Sequence, residues 1–227
     1  MVWTVTARGS TVGYGANPLV GDTFTPTEGN IILVASEAWT TYITGCDGWG
    51  ITFSAIGTAP NLGGYELTVW AGIVGSSPGS DQAQLTTTGG SARHAVCVVE
   101  IAGADTSGTI GDAIVQTPVA EAVYNGGSGN AIGAGLSSFA SATNATVTLV
   151  GSTYELQTFT PQTGFTVYEA TSGGTTGHSE IHFDDSEQTA PTYSPVTGSV
   201  NDMAMAFELA EAGGGGGIVP LIMNQLH

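Results

Sequence analysis

The chain has no lysine and only two arginines, Arg8 and Arg93, against 19 acidic residues, a formal net charge of −17 over 227 residues. Nucleic-acid binding depends on Lys and Arg neutralising phosphates, so this balance argues against a DNA or RNA partner. Anionic membrane surfaces are disfavoured on the same ground. Without lysine there is no phosphate loop of the Walker type, whose lysine reaches the phosphates. Cysteine is as scarce. Cys46 and Cys97 lie far apart with no CxxC or Cys/His spacing around them, which is too little for a zinc site; they read as buried free thiols, with a cross-strand disulfide as the other reading. Long apolar runs are missing too, since Asn30 to Ser36 and Ala95 to Ile101 are far too short to span a bilayer. The opening Met1-Val2-Trp3-Thr4-Val5-Thr6 reads as an alternating strand rather than a basic stretch followed by an apolar core, so no export signal is expected.

Hydrophobic residues make up 41% of the chain and charged residues 9%, where ordinary globular domains carry roughly 25% charge. Such a chain can bury a sizeable core, and Ser, Thr, Asn, Gln and Gly must cover its surface. An acidic coat of this size favours solubility and a basic or cation-bridged partner. β-branched and aromatic residues alternate with small or polar ones between Gly and Pro clusters, and no amphipathic helical period of useful length occurs. About twelve strands are expected, among them Val2–Ala7, Asn30–Ala38, Gly50–Ala55, Ala92–Ile101, Ala113–Val115, Ala131–Ser138, Ala145–Val150, Ser179–Phe183 and Met203–Ala210. Ile31 to Ala35 and Ala95 to Val99 are continuous apolar runs, the mark of strands buried on both faces. Met203–Ala210 is the natural closing strand, expected beside the N-terminal one. No internal repeat of fixed period is visible. The expected fold is an all-β, antiparallel, jelly-roll-like sandwich over residues 1–211, followed at 212–227 by a Gly-rich linker and an apolar C-terminal arm.

The arm is the clearest functional signal. Five consecutive glycines lead to Ile218, Val219, Pro220, Leu221, Ile222 and Met223, with Leu226 beyond. A flexible linker carrying a short apolar peptide is the build of a tethered docking segment, whose alternative is to fold back over the edge of its own sandwich.

Candidate catalytic motifs are weak. Gly75-Ser76-Ser77-Pro78-Gly79 matches the letters of a nucleophile elbow, but Pro78 has no N–H for an oxyanion hole and no helix follows, so it reads as a hairpin turn. Strand alternation places His178, Glu180 and His182 on one face, where two imidazoles and a carboxylate have the chemistry of zinc ligands, although a solvated strand face is the plainer reading. Asp184, Asp185 and Glu187 offer hard oxygens of the kind calcium takes, or simply a solvated acidic loop. No metal, cofactor or catalytic residue is assigned. Trp39, Tyr42 and Trp49 flank the Cys46-Asp47-Gly48 turn and are the candidate glycan contacts, since sugar rings stack on exposed aromatic faces.

With its strand-rich Gly/Ser/Thr/Ala body, core strand Val96-Cys97-Val98-Val99-Glu100-Ile101-Ala102-Gly103 and polyglycine stretch before a terminal peptide, the chain resembles minor structural proteins of tailed bacteriophages. That resemblance implies a non-enzymatic virion component, a capsid decoration (cement) protein or a tail or fibre subunit, made in the host cytoplasm and exposed on the particle, with decoration the first expectation. It would act as a homo-oligomer, a trimer on a symmetric shell, bound to virion proteins such as the major capsid protein. A carbohydrate-binding module or adhesin-like tail or fibre protein is the second expectation, and a hydrolase the third.

Overall fold

A computed structural model describes residues 2–15, 17–39, 42–59, 64–88, 92–116, 119–126, 132–133, 135–153, 159–171, 177–195 and 200–213. The first eight strands are β1 (Thr4–Gly15), β2 (Leu19–Phe24), β3 (Ile31–Trp39), β4 (Ile43–Asp47), β5 (Ser54–Thr58), β6 (Tyr65–Ile73), β7 (Asp81–Thr87) and β8 (Ala92–Ala102). A four-residue helix, α1 (Ile110–Ala113), leads to β9 (Val119–Gly126), β10 (Ile132–Gly133), β11 (Ala145–Ser152), β12 (Phe159–Pro161), β13 (Thr166–Ala170), β14 (His178–Asp184), β15 (Thr192–Pro195) and β16 (Val200–Leu209). Every strand pairing is antiparallel, and α1 is the one helix among the described residues.

One strand order occurs twice. The first half forms a five-stranded sheet β1-β8-β3-β6-β5 and a three-stranded sheet β2-β7-β4; the second forms β9-β16-β11-β14-β13 and β10-β15-β12. Adding eight to each strand number of the first half reproduces the second. Even an irregularity recurs, since β5 bulges between Ala55 and Gly57 against β6, and β13 between Val167 and Glu169 against β14. Each half closes on its own first strand, β8 on β1 and β16 on β9. The closing strand Val200–Leu209 therefore does not lie beside the N-terminal strand, as the sequence suggested.

The two large sheets share a core. Ile31, Leu33 and Ala35 of β3, with Leu67, Val69, Cys97 and Val99, pack in one cluster with Val147 and Leu149 of β11, Ile181, Met203, Met205 and Phe207. Alternation sends the intervening residues of each sheet outward, beneath the small sheet of the same half. β3 is thus buried on both faces, which accounts for its unbroken apolar run. Beneath the first small sheet lies an apolar layer of Ile32, Val34, Trp49, Trp70, Leu85, Val96 and Val98. Where Ala113–Val115 was expected as a strand, α1 ends at Ala113 and pairing resumes at once, with Ile114 bridging Leu209. Gly75–Gly79 is no hairpin, because it joins β6 to β7 in a different sheet.

Candidate functional site

The layer beneath the second small sheet is ionic. The outward faces of β11, β14 and β16 carry Thr146, Thr148, Val150 and Ser152; His178, Glu180, His182 and Asp184; and Asp202, Ala204, Ala206 and Glu208. None of the twelve is more than 4% exposed. Phe159 of β12 and Tyr193 of β15 cover them as part of a small apolar cluster with Val150 and Ala204.

Glu180 is the centre of this layer. Its Oε1 accepts from His178 Nε2 and its Oε2 from His182 Nε2, both at 2.6 Å, and the Phe159 N–H adds a third bond at 3.2 Å. Burial alone would raise the carboxyl, but the bonds from His178 and His182 outweigh it and hold the group at about 2. The His182 ring lies 5.0 Å from that of Tyr193, whose hydroxyl bonds the hydroxyl of Thr148. Burial pushes the Tyr193 phenol upward. Asp202 lies across the ladder from Ser152; burial raises its carboxyl to about 6, with the Ser152 hydroxyl pulling the other way.

His178, Glu180 and His182 do share a face, as alternation requires. That face is turned inward rather than to solvent. Each imidazole spends its Nε2 on the same carboxylate, and among the described residues no group of three or more His, Cys, Asp or Glu is arranged to hold a metal. The acidic loop divides likewise: Asp184 turns in and accepts from Ser186 N–H at 3.0 Å, Ser186 Oγ at 2.6 Å and Gln188 Nε2 at 3.0 Å, Glu187 accepts from Phe139 N–H at 2.9 Å, and Asp185 stays exposed. This geometry clamps a carboxylate and ties down a loop.

A second pair of buried carboxylates escaped the sequence reading. Glu100 of β8 accepts from Thr27 N–H and Asn30 Nδ2, both at 2.7 Å, and from Arg8 Nε at 2.9 Å. At the equivalent place on β16, Glu208 accepts from Asn144 Nδ2 at 2.5 Å, Ala140 N–H at 3.0 Å and Gln116 Nε2 at 2.7 Å. Each glutamate anchors the loop entering the third strand of its half through an asparagine. Burial would raise the Glu100 carboxyl, yet its hydrogen bonds and Arg8 hold it below the ordinary value. The signal was in the sequence, as Val99-Glu100-Ile101-Ala102-Gly103-Ala104 against Phe207-Glu208-Leu209-Ala210-Glu211-Ala212. These two segments then meet, with Ala104 bridging Glu211.

The candidate glycan residues do not make one platform. Trp49 is 4% exposed, with its ring against Phe24 and its Nε1–H donating to Phe24 O at 2.9 Å, so its indole is spent in the core. Trp39 stacks on Tyr65 at 5.5 Å and carries the Arg93 guanidinium 4.1 Å from its centroid. Tyr42 is exposed. Both cysteines are free and buried, Cys46 beneath the small sheet and Cys97 in the shared core. The arm residues Ile218, Val219, Pro220, Leu221, Ile222, Met223 and Leu226 lie outside the described residues.

Comparison with family models, curated proteins and solved structures finds no match.

Proposed function

We propose that this chain is a non-enzymatic structural protein of a virion, a capsid decoration protein that binds and stabilises a protein shell through subunit contacts and its C-terminal arm. The observation that carries the reading is the twice-repeated order 1-8-3-6-5 with 2-7-4, which we take as two jelly-roll-like units back to back. Jelly rolls build viral capsid and lectin domains, so the link from fold to role is one of analogy. Two such units on one shared core make a rigid block, and the acidic coat would keep many copies apart until a complementary surface gathers them. On this reading the chain self-associates as a trimer and is displayed on the particle. The arm, on its flexible linker, adds contacts at high effective concentration.

Native mass spectrometry and light scattering of the full chain beside a chain ending at Ala212 test the proposal. An oligomer that falls apart on truncation supports it. A truncated chain that assembles and binds its particle as well as the intact one refutes the role of the arm. The second reading, glycan binding, rests on the rings of Tyr14 and Tyr42, which are 56% and 50% exposed. It predicts glycan-array binding that Tyr42→Ala abolishes.

A further inference from the structure

The two halves also meet along their sheet edges, and the two junctions are unequal. At one, β1 faces β13; at the other, β5 faces the segment of α1 that leads into β9. Strand register equates them. Tyr168 sits in the β13 bulge where β5 has Ile56, Thr166 stands where β5 has Ser54, and its partner Phe183 stands where β6 has Ala71. Val5, paired with Ile101, corresponds to Ile114, bridged to Leu209.

The first junction is plugged. Trp3 meets Phe183 edge-on at 5.6 Å, Tyr168 does so at 6.2 Å, and Trp3 Nε1–H donates to Thr143 O at 3.2 Å, leaving a space of about 160 Å³. The second has smaller residues, Ile56 and Ala71, at the places of Tyr168 and Phe183. It keeps an open cleft of about 540 Å³ lined by Ser54, Ala55, Ile56, Ile110, Ile114 and Val115, with Val115 39% exposed. β5 is the last strand of its sheet, so one row of its backbone groups faces away from β6.

The last strand passes this cleft. Val115 N–H bonds Glu208 O at 3.1 Å and Ala210 N–H bonds Ala113 O at 2.9 Å, so the end of β16 lies against the cleft wall, and the chain then crosses to Ala104 and Gly103, where Glu211 bridges Ala104 and Ala212 N–H bonds Gly103 O at 2.8 Å. From Gly213, five glycines reach at most about 17 Å at roughly 3.5 Å per residue, enough to turn back one strand's breadth. The apolar stretch Ile218-Val219-Pro220-Leu221-Ile222-Met223 follows.

We propose that the cleft between β5 and α1 is the seat of Ile218–Met223 of the same chain, laid along β5 as an added strand. Main-chain bonds to the free edge would hold it, alternate apolar side chains would fill the space that Tyr168, Phe183 and Trp3 fill at the other junction, and Pro220, lacking an N–H, suits an outermost strand. The inference rests on the reading of 218–223 as a docking peptide and deepens it: released and exchanged, the same segment would enter a neighbour's cleft, a low-cost route to an oligomer.

Hydrogen exchange decides the matter, measured at low micromolar concentration on the full chain, a chain ending at Gly213, and full-length Val115→Glu and Ile222→Asp. Amides of 54–58 should exchange at least roughly tenfold slower in the full chain than in the truncated one. Ile222→Asp, which leaves the body untouched, should remove that protection, as should Val115→Glu, and a synthetic peptide of residues 217–227 should restore it to the truncated chain. Equal exchange at 54–58 in full and truncated chains overturns the seat. Protection that grows with chain concentration overturns the same-chain assignment. Light scattering on the same samples keeps the two readings apart, because assembly lost on truncation with unchanged exchange at 54–58 would leave the decoration role standing and remove only the cleft.

Discussion

The two halves of this molecule share a strand order and a shared core yet fill their outer layers by opposite means. In the first, the central sheet presents Ile32, Val34, Trp70, Val96 and Val98 to its small sheet; in the second, equivalent places hold Thr146, Thr148, His182, Ala204 and Ala206, with Glu180 opposite Val150. Burying aliphatic side chains stabilises by roughly 1.5–3 kcal/mol each and demands little of geometry. A buried carboxylate between two imidazoles gains much less net, because desolvation offsets the attraction, but removing one member leaves the others stranded. One architecture thus tolerates either filling, and the second half trades tolerance for dependence on a few groups.

Breaking that dependence should give the largest effect. Glu180→Ala strands two buried imidazoles and should cost about 3–5 kcal/mol in urea unfolding, whereas Thr68→Ala, at the equivalent place on β6, should cost about 1 kcal/mol. Similar costs at both sites would erase the contrast between the layers.

The paired glutamates test the likeness of the halves rather than their difference. Glu100→Ala and Glu208→Ala each orphan buried donors at the entry of the third strand, and each should cost about 2–3 kcal/mol. Costs that differ several-fold would mean that the shared clamp is a coincidence of sequence.

A smaller effect comes from pH. Glu180, held at about 2, contributes stability that is full above its unfolded value of 4.5 and is lost as pH falls toward 2. Asp202 works in the opposite direction: raised from 3.8 to about 6, it contributes stability present below 3.8 and lost as pH rises through 6. Glu37, fully buried with neither oxygen bonded among the described residues and raised by burial, adds to the same falling limb. The summed contribution of these three groups is therefore greatest close to pH 4. Asp202→Asn should raise stability at pH 7.5 by about 1 kcal/mol and change nothing at pH 3.5; an equal effect at both would show that ionisation is not the cause.

Much of the fold was legible, and for physical reasons. Continuous apolar runs marked β3 and β8 as interior strands because a residue buried on both faces leaves no polar alternation. Short strands such as β12 and β15 were missed, since three or four residues carry too little pattern. The repeated order stayed hidden because the small-sheet faces differ, apolar in one half and ionic in the other, leaving as its trace the like segments Val99–Ala104 and Phe207–Ala212 and the pairs Asn30–Glu100 and Asn144–Glu208. His178, Glu180 and His182 were found by spacing, but spacing cannot say whether a face looks outward or under a second sheet. Trp49 likewise looked like a loop aromatic, and the turn Gly48-Trp49-Gly50 folds it into the core; Gly48 is required there, as a Cβ would stand 2.7 Å from Gln82 O.

The contrast between the halves is tested most directly by amide exchange in the two small sheets as pH is lowered from about 4.5 to about 2.5. β12 and β15 should lose protection over this range, because opening lets Glu180 take up a proton that the folded state refuses, while β4 and β7 keep theirs. Equal loss in both sheets, or earlier loss in β4 and β7, would contradict it.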